Sequence, residues 1–119
     1  MRAIRDPRTF LPLPPLDFQV LLGLAGGARH AYGLARSVEG EAGGARLELG
    51  SLYRILARLT TDGLIEETDP PGDEPRVDVR RRYYRLTTFG RAVAAAEANR
   101  LELLVQAARQ HRFLPSRRK

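Results

Sequence analysis

Arginine is the residue type through which this sequence is best equipped to bind another molecule. The first pair that indicates a binding site is Arg54 and Arg58. They are four residues apart in a segment with helical apolar spacing, so they lie one turn apart on one helix face. Ser51 and Tyr53 also point outward from this helix. A helix fits the DNA major groove, where arginine donates two bonds to guanine or binds phosphate. The segment therefore indicates a DNA-contacting helix, although two arginines on a solvated face can also merely keep a protein soluble.

A second group of arginines follows in a predicted hairpin strand. Its members are Arg76, Arg80, Arg81, Arg82 and Arg85. Arginines on a ribbon beside such a helix can hold phosphates or reach the minor groove. Strand alternation places Arg80 and Arg82 on one face and Arg81 opposite, and we take Arg76, Arg80 and Arg82 as the DNA-binding candidates. The facing strand and turn carry carboxylates, so some of these arginines must pair with them instead: Glu66, Glu67, Asp69, Asp73 and Glu74.

Candidates for catalysis or metal binding are sparse. His30 and His111 lie in different predicted elements, with no carboxylate at a ligand or triad spacing. The chain has no cysteine, which excludes disulfides and thiolate zinc sites. Gly43-Gly44 lacks the lysine that follows a phosphate-binding glycine loop. We therefore expect no enzyme, no metal and no cofactor.

Composition favours an anionic partner. The formal net charge is +6 over 119 residues, and Lys119 is the only lysine. Such an excess favours nucleic acid, although arginine also replaces lysine in GC-rich genomes. A hydrophobic fraction of 43% supports the core of one domain. No apolar run reaches the roughly 20 residues that span a bilayer, so we expect no membrane partner and a cytoplasmic location.

Apolar periodicity predicts the order helix, helix, helix, strand, turn, strand, long helix. The predicted helices are Pro15 to Ala25, His30 to Glu39, a third that starts between Leu47 and Ser51 and closes at Asp62-Gly63, and Thr87 to about Arg112. The strands are Leu64 to Thr68 and Val77 to Leu86, around a turn at 69–73, and Gly40 to Arg46 form another turn. This order is that of a winged helix-turn-helix, a mainly α (α+β) fold with a two-stranded β wing and a long C-terminal helix.

Four segments follow from that order. Residues 1–12 are a flexible basic arm, 13–86 a winged-helix DNA-binding domain, 87–113 a C-terminal dimerisation helix and 114–119 a basic tail. The expected inner residues are Leu52, Ile55, Leu56 and Leu59 of the third helix, Tyr32, Leu34, Ala35 and Val38 of the second, and Tyr84 of the wing.

The last helix predicts a second copy of the chain. It would be roughly 40 Å long at 1.5 Å per residue, more than a winged helix covers. An apolar seam recurs at alternating spacings of four and three. The dimerisation candidates are Ala94, Ala98, Leu101, Leu104, Val105 and Ala108, with Leu16 and Val20 of the first helix. The helix could instead fold back on its own first helix, and both arrangements can occur together.

Three motifs resemble those of the PadR family of regulators. They are Tyr32, the run Gly50-Ser51-Leu52-Tyr53 with Leu59 through Ile65, and Tyr83-Tyr84-Arg85-Leu86-Thr87 with Gly90. The resemblance covers roughly residues 16 to 112 and implies a dimeric winged helix-turn-helix regulator, usually a repressor. It also implies that Tyr32, Ser51 and Tyr53 lie near the DNA. Leu49 replaces a frequent proline of the family, and the wing reads Pro75-Arg76-Val77-Asp78-Val79-Arg80 instead of a Gly-Gly-Arg-Pro-Arg type sequence.

The sequence therefore favours a sequence-specific transcriptional regulator, a repressor that binds double-stranded DNA as a homodimer. Two recognition helices related by a two-fold axis read half-sites about one DNA turn apart, which predicts a pseudo-palindromic operator. No residue points to a small-molecule effector, which would have to bind between the last helices or near the core. The alternatives are a nucleoid-type protein without sequence preference and a winged helix that binds protein.

Overall fold

Each segment with helical apolar spacing forms a helix in the computed structural model, which describes residues 5–40, 47–70, 72 and 82–116. In chain order the helices are α1 (Pro15–Gly23), α2 (Ala31–Gly40), α3 (Leu49–Thr61) and α4 (Thr88–Gln110). The strands are β1 (Arg29–His30), β2 (Ile65–Thr68) and β3 (Tyr83–Leu86). The predicted winged-helix arrangement is confirmed, and the predicted ends of α1, α2 and α4 differ by one or two residues.

The three strands form one antiparallel sheet in the order β1-β3-β2, with β3 in the middle. Ile65 of β2 pairs with Leu86 of β3, and Arg29 of β1 pairs with Tyr84. The prediction of a two-stranded ribbon was therefore one strand short. Strand β1 was not predicted because two residues are too few to show the alternation of a strand in the sequence.

Some predictions fall on segments outside the described residues. The segments are the arm at 1–4, the turn at 41–46, the strand start at 77–81 and the tail at 117–119. The wing arginines Arg76, Arg80 and Arg81 also lie outside the described residues.

Helix α3 is held in place by the four leucine and isoleucine residues that the sequence predicts to face inward. Leu52, Ile55, Leu56 and Leu59 are all buried. They share one core cluster with residues of α1 and α2 that are at most 1% exposed: Val20, Leu21, Leu24, Leu34 and Val38. Burying one such side chain stabilises a fold by about 1.5–3 kcal/mol. The buried face therefore fixes which face of α3 points outward.

Two tyrosines differ from the predicted set of inner residues, while Tyr84 is buried as predicted. Tyr32, expected to face inward, is 56% exposed because the preceding Ala31 takes the buried position. Tyr83, which is not among the inner residues expected from the sequence, is 3% exposed. Strand β1 pairs alongside it, and the ring of His30 packs edge-on at a centroid distance of 5.3 Å.

The start of α4 is docked on the end of α3. Helix α3 closes at Asp62, and Gly63 takes the left-handed φ of 79° that the sequence predicts. Thr87 caps α4 by accepting a bond from the Gly90 N–H at 2.9 Å, and its hydroxyl donates to the Gly63 carbonyl at 2.6 Å. A Cβ on Gly90 would overlap the carbonyl of Leu64. Only glycine permits this approach.

Residues 5–12, within the segment expected to be a flexible arm, pack against the domain. Pro7–Phe10 form one turn of 3-10 helix, and the Phe10 ring meets the Phe89 ring of α4 at 5.6 Å. The guanidinium of Arg5 lies over the Phe89 ring at 4.3 Å and donates to the Asp62 carbonyl at 2.6 Å. This basic side chain is therefore engaged within the chain.

In the described part of the chain, no helix is both long enough and apolar enough to cross a bilayer.

Candidate nucleic-acid interface

The first two turns of α3 present an open polar face. Because the opposite face is buried in the core, Tyr53 and Arg54 are exposed, and the Tyr53 side chain is 54% accessible. Arg54 donates to the Ser51 hydroxyl at 3.1 Å, a contact at the surface. Ser51 itself is half-buried. The structure thus brings together three of the predicted DNA-binding residues, and their donors can turn toward a ligand without disturbing the core.

Arg58 lies farther along α3 and differs from Arg54. Its Nη2 donates to both carboxylate oxygens of Asp17 in α1, at 2.6 and 2.7 Å. The Asp17 side chain is only 5% exposed, whereas that of Arg58 is 51% exposed. The sequence prediction grouped Arg58 with Arg54 and missed Asp17. The available signal was a lone acid inside an apolar helix, since a buried carboxylate requires a partner.

The predicted pairing between wing arginines and carboxylates is present where β2 and β3 are described. Arg85 pairs with Glu66 at 2.8 Å, and Arg82 pairs with Glu67 at 3.4 Å. All four side chains are about half-exposed or more. Exposed pairs of this kind contribute about 0–1 kcal/mol, so Arg82 can exchange its carboxylate for a phosphate at little cost.

A cleft of about 300 Å³ separates α3 from the sheet. Its walls are Tyr53, Ala57 and Thr60 of α3 and Glu67, Arg82 and Tyr84 of the sheet side. Burial raises the pKa of the Tyr84 phenol, and the Glu67 carboxylate adds to the effect. The Tyr84 hydroxyl therefore stays protonated at neutral pH. With Arg82 it gives the cleft two hydrogen-bond donors.

Tyr32 lies on the rim of a second cleft, of about 400 Å³, between α2 and α3. Leu47 and Leu49 line the same cleft from the α3 side. The Nδ1 atom of His30 accepts a bond from the Gly33 N–H at 3.1 Å, which holds the first turn of α2. Exposed Tyr32 therefore belongs to the surface shared by α2 and α3, together with the start of α3.

The dimerisation candidates divide into two groups. Ala98, Leu104 and Val105 are exposed, while Leu16, Ala94, Leu101 and Ala108 are half-buried. Val20 has no exposed surface, because it is packed inside the core of its own chain, so in this fold it offers no surface to a second copy. The sequence prediction did not include two other exposed apolar side chains, Leu22 of α1 at 42% and Leu103 of α4 at 57%.

Nowhere in the ranges that the structure describes do three His, Asp or Glu side chains come together as a metal site.

Comparison with known proteins points to one family. The model of the PadR-like family of transcriptional regulators matches residues 20–96. Among solved structures, a PadR family regulator from Clostridium difficile aligns with a TM-score of 0.67 at 20% identity, over 82% of this chain and 98% of that one. A PadR-like regulator from Bacillus cereus aligns with 0.68 at 19% identity, over 86% and 93%. One from Eggerthella lenta aligns with 0.62 at 25% identity, over 87% and 82%. No curated protein matches the sequence.

Proposed function

The chain belongs to the PadR-like family of transcriptional regulators, and we propose that it is a repressor that binds a pseudo-palindromic operator as a homodimer. The observation that carries the proposal is the open face at the start of α3, where Tyr53 and Arg54 are exposed and Tyr53 lines one cleft with the wing arginine Arg82. Residues near the N-terminus of a recognition helix contact base edges. Arg54 therefore reads a base, and Arg82 holds the backbone.

The outer surfaces of α1 and α4 support a homodimer. In its second half α4 exposes Leu103, Leu104 and Val105, and α1 exposes Leu22. Apolar surface of this kind is stabilised when a second copy covers it, and a two-fold axis lets the same patch serve both copies. The two α3 helices then meet half-sites about one DNA turn apart. A compact dimer on such an operator represses by occupying the promoter.

The test is fluorescence anisotropy with a labelled duplex from upstream of the protein's own gene, against a scrambled duplex, over a salt series. We expect a nanomolar preference for the upstream duplex that survives moderate salt. Arg54→Ala should lose about 1–3 kcal/mol of binding to the operator and relax the preference at one base pair. Arg91→Ala removes an equal charge from an exposed position of α4 and is the matched control, with sequence preference unchanged.

The other outcomes each name a different function. Equal affinities for both duplexes that fall together with salt would identify a nucleoid-type DNA binder. No binding to either duplex by a protein that still dimerises would identify a protein-interaction module. In both cases the proposal of a sequence-specific repressor is refuted.

A further inference from the structure

We infer that Asp17 and Arg58 form a positioning pair that sets the angle of α3 against α1, and that Arg58 does not read DNA. Arg58 lies on the same helix as Arg54, and residue type alone assigns both to DNA. Their partners separate them. Arg54 is bonded at the surface to the hydroxyl of half-buried Ser51, whereas Arg58 makes two short bonds to one buried carboxylate. The inference rests on the proposed function, because the angle matters for a dimer that must match two half-sites.

The burial of Asp17 is what holds Arg58. Asp17 lies on α1, where Val20 and Leu21 have no exposed surface. An ionised carboxylate in such surroundings is strongly destabilising without a partner, and removing one member of a buried pair leaves the other uncompensated. A phosphate or guanine that drew Arg58 away would leave Asp17 in that state. Arg82 has no such constraint, because its carboxylate partner Glu67 is 53% exposed.

The pair also joins two elements whose backbones are not close neighbours, although their buried side chains share one core cluster. The backbone of α1 lies closest to α2 and α4, and that of α3 lies closest to α2 and β2. The Asp17–Arg58 bonds therefore connect α1 to α3 directly, across 41 positions of sequence. Next to Asp17 on α1 is Leu16, a predicted dimer contact, and Leu22 is exposed on the same helix. A shift of α1 in the dimer is thus transmitted to the recognition helix.

The distinguishing experiment measures affinity for operators whose two half-sites are separated by one base pair more or fewer than the optimum. Asp17→Asn and Arg58→Met should each weaken binding to the optimal operator by about tenfold, within what loss of precise positioning costs, and should flatten the dependence on spacing. The ratio between correct and substituted bases should stay as in the wild type. The double variant should bind no worse than Arg58→Met alone, because the two losses are one interaction.

Arg58→Lys keeps the positive charge but not the planar guanidinium that binds carboxylates. It should behave like Arg58→Met if Arg58 positions α3, and like the wild type if Arg58 only contributes charge to a phosphate contact. A drop of about one in the salt slope with Arg58→Met would reveal a phosphate contact. Any one of three results would overturn the inference: this drop in the salt slope, a relaxed preference at one base pair, or wild-type binding by Asp17→Asn.

A failure of the proposed function is recognised separately. Wild-type protein that does not distinguish the operator from the scrambled duplex refutes the repressor, whatever the variants do. In that case thermal unfolding of the free protein is measured for the same single and double variants. It tests whether Asp17 and Arg58 stabilise the fold as one interaction. Additive losses would show that Asp17 and Arg58 do not act together and would overturn the link between α1 and α3. A coupling energy between them would uphold it.

Discussion

The two halves of α4 have the same secondary structure and opposite surroundings. In the first half, Gly90, Val93 and Glu97 are buried against the winged-helix domain. In the second half no residue from 98 to 110 is buried, and Leu103 and Leu104 are each more than half-exposed. The core of the domain thus continues past the boundary at residue 87 that the sequence suggested. One half completes the domain of its own chain, and the other is available to a second copy.

The largest expected effect comes from the first half, at Gly90. Gly90→Ala places a Cβ against the carbonyl of Leu64, so the backbone has to move and the Thr87 cap is disturbed. Overpacking typically costs about 1–3 kcal/mol, and a clash with the backbone lies at the upper end of that range. We expect a loss of that size in the free energy of unfolding, measured with chemical denaturant.

Gly50→Ala is the matched control for that experiment. Gly50 lies in the first turn of α3, and a Cβ there meets nothing within 4 Å. The same substitution should stabilise the protein by about 0.5–1 kcal/mol, because alanine loses less backbone entropy in a helix. Equal effects at the two positions would show that α4 does not need its close approach to the backbone at Leu64.

The features that sequence reasoning recovered are those with a local cause. The buried face of α3 repeats over Leu52, Ile55, Leu56 and Leu59, and the end of α3 carries an Asp62-Gly63 signal. The outer face of α3 then follows from geometry, so Ser51, Tyr53 and Arg54 could be placed without a structure. The family resemblance also marked Gly90, but the reason for a glycine there, the carbonyl of Leu64, lies in another element.

The features that it missed have non-local causes. Asp17 and Arg58 are 41 residues apart, and no periodicity connects them. Tyr83 became buried through β1, a strand of only two residues. Val20 was assigned to the dimer because α1 is apolar almost all round. The sequence alone does not say which face of α1 packs into the core of its own chain. Spacing identifies a face, but the partner of that face is set by the whole fold.

The second half of α4 gives the next largest effect. Leu104→Glu places a carboxylate on each side of the proposed dimer contact, where burying an ionised group is costly. We expect association to weaken by at least about 2 kcal/mol, roughly 30-fold in Kd, measured by light scattering over a dilution series. Ala95→Glu puts the same charge on an exposed position of the first half and should leave association unchanged. A dimer that survives Leu104→Glu would contradict the division of α4.

The smallest effect concerns Glu97, the last buried residue of the first half, which is 2% exposed. Arg100 donates to its two carboxylate oxygens at 2.7 Å each, and this contact holds the pKa of Glu97 below its usual 4.5, helped by the Leu13 N–H. Because the pKa is lower in the folded state, ionised Glu97 stabilises the fold above the unfolded pKa. That contribution is lost as the pH falls through the folded value.

Glu97→Gln removes the charge and keeps the shape, so it isolates this contribution. At neutral pH we expect the variant to be about 1 kcal/mol less stable than the wild type, because the amide keeps one acceptor oxygen and only the charge-assisted part of the contact is lost. The two unfolding curves should approach each other as the pH falls below about 4.5 and converge only once it has passed the lower folded-state pKa of Glu97. Glu102→Gln, an exposed position in the second half, should follow the wild type at every pH. Parallel curves for Glu97→Gln and wild type would mean that Glu97 contributes shape alone, and the first half of α4 would then be held by Gly90 and Val93 without help from charge.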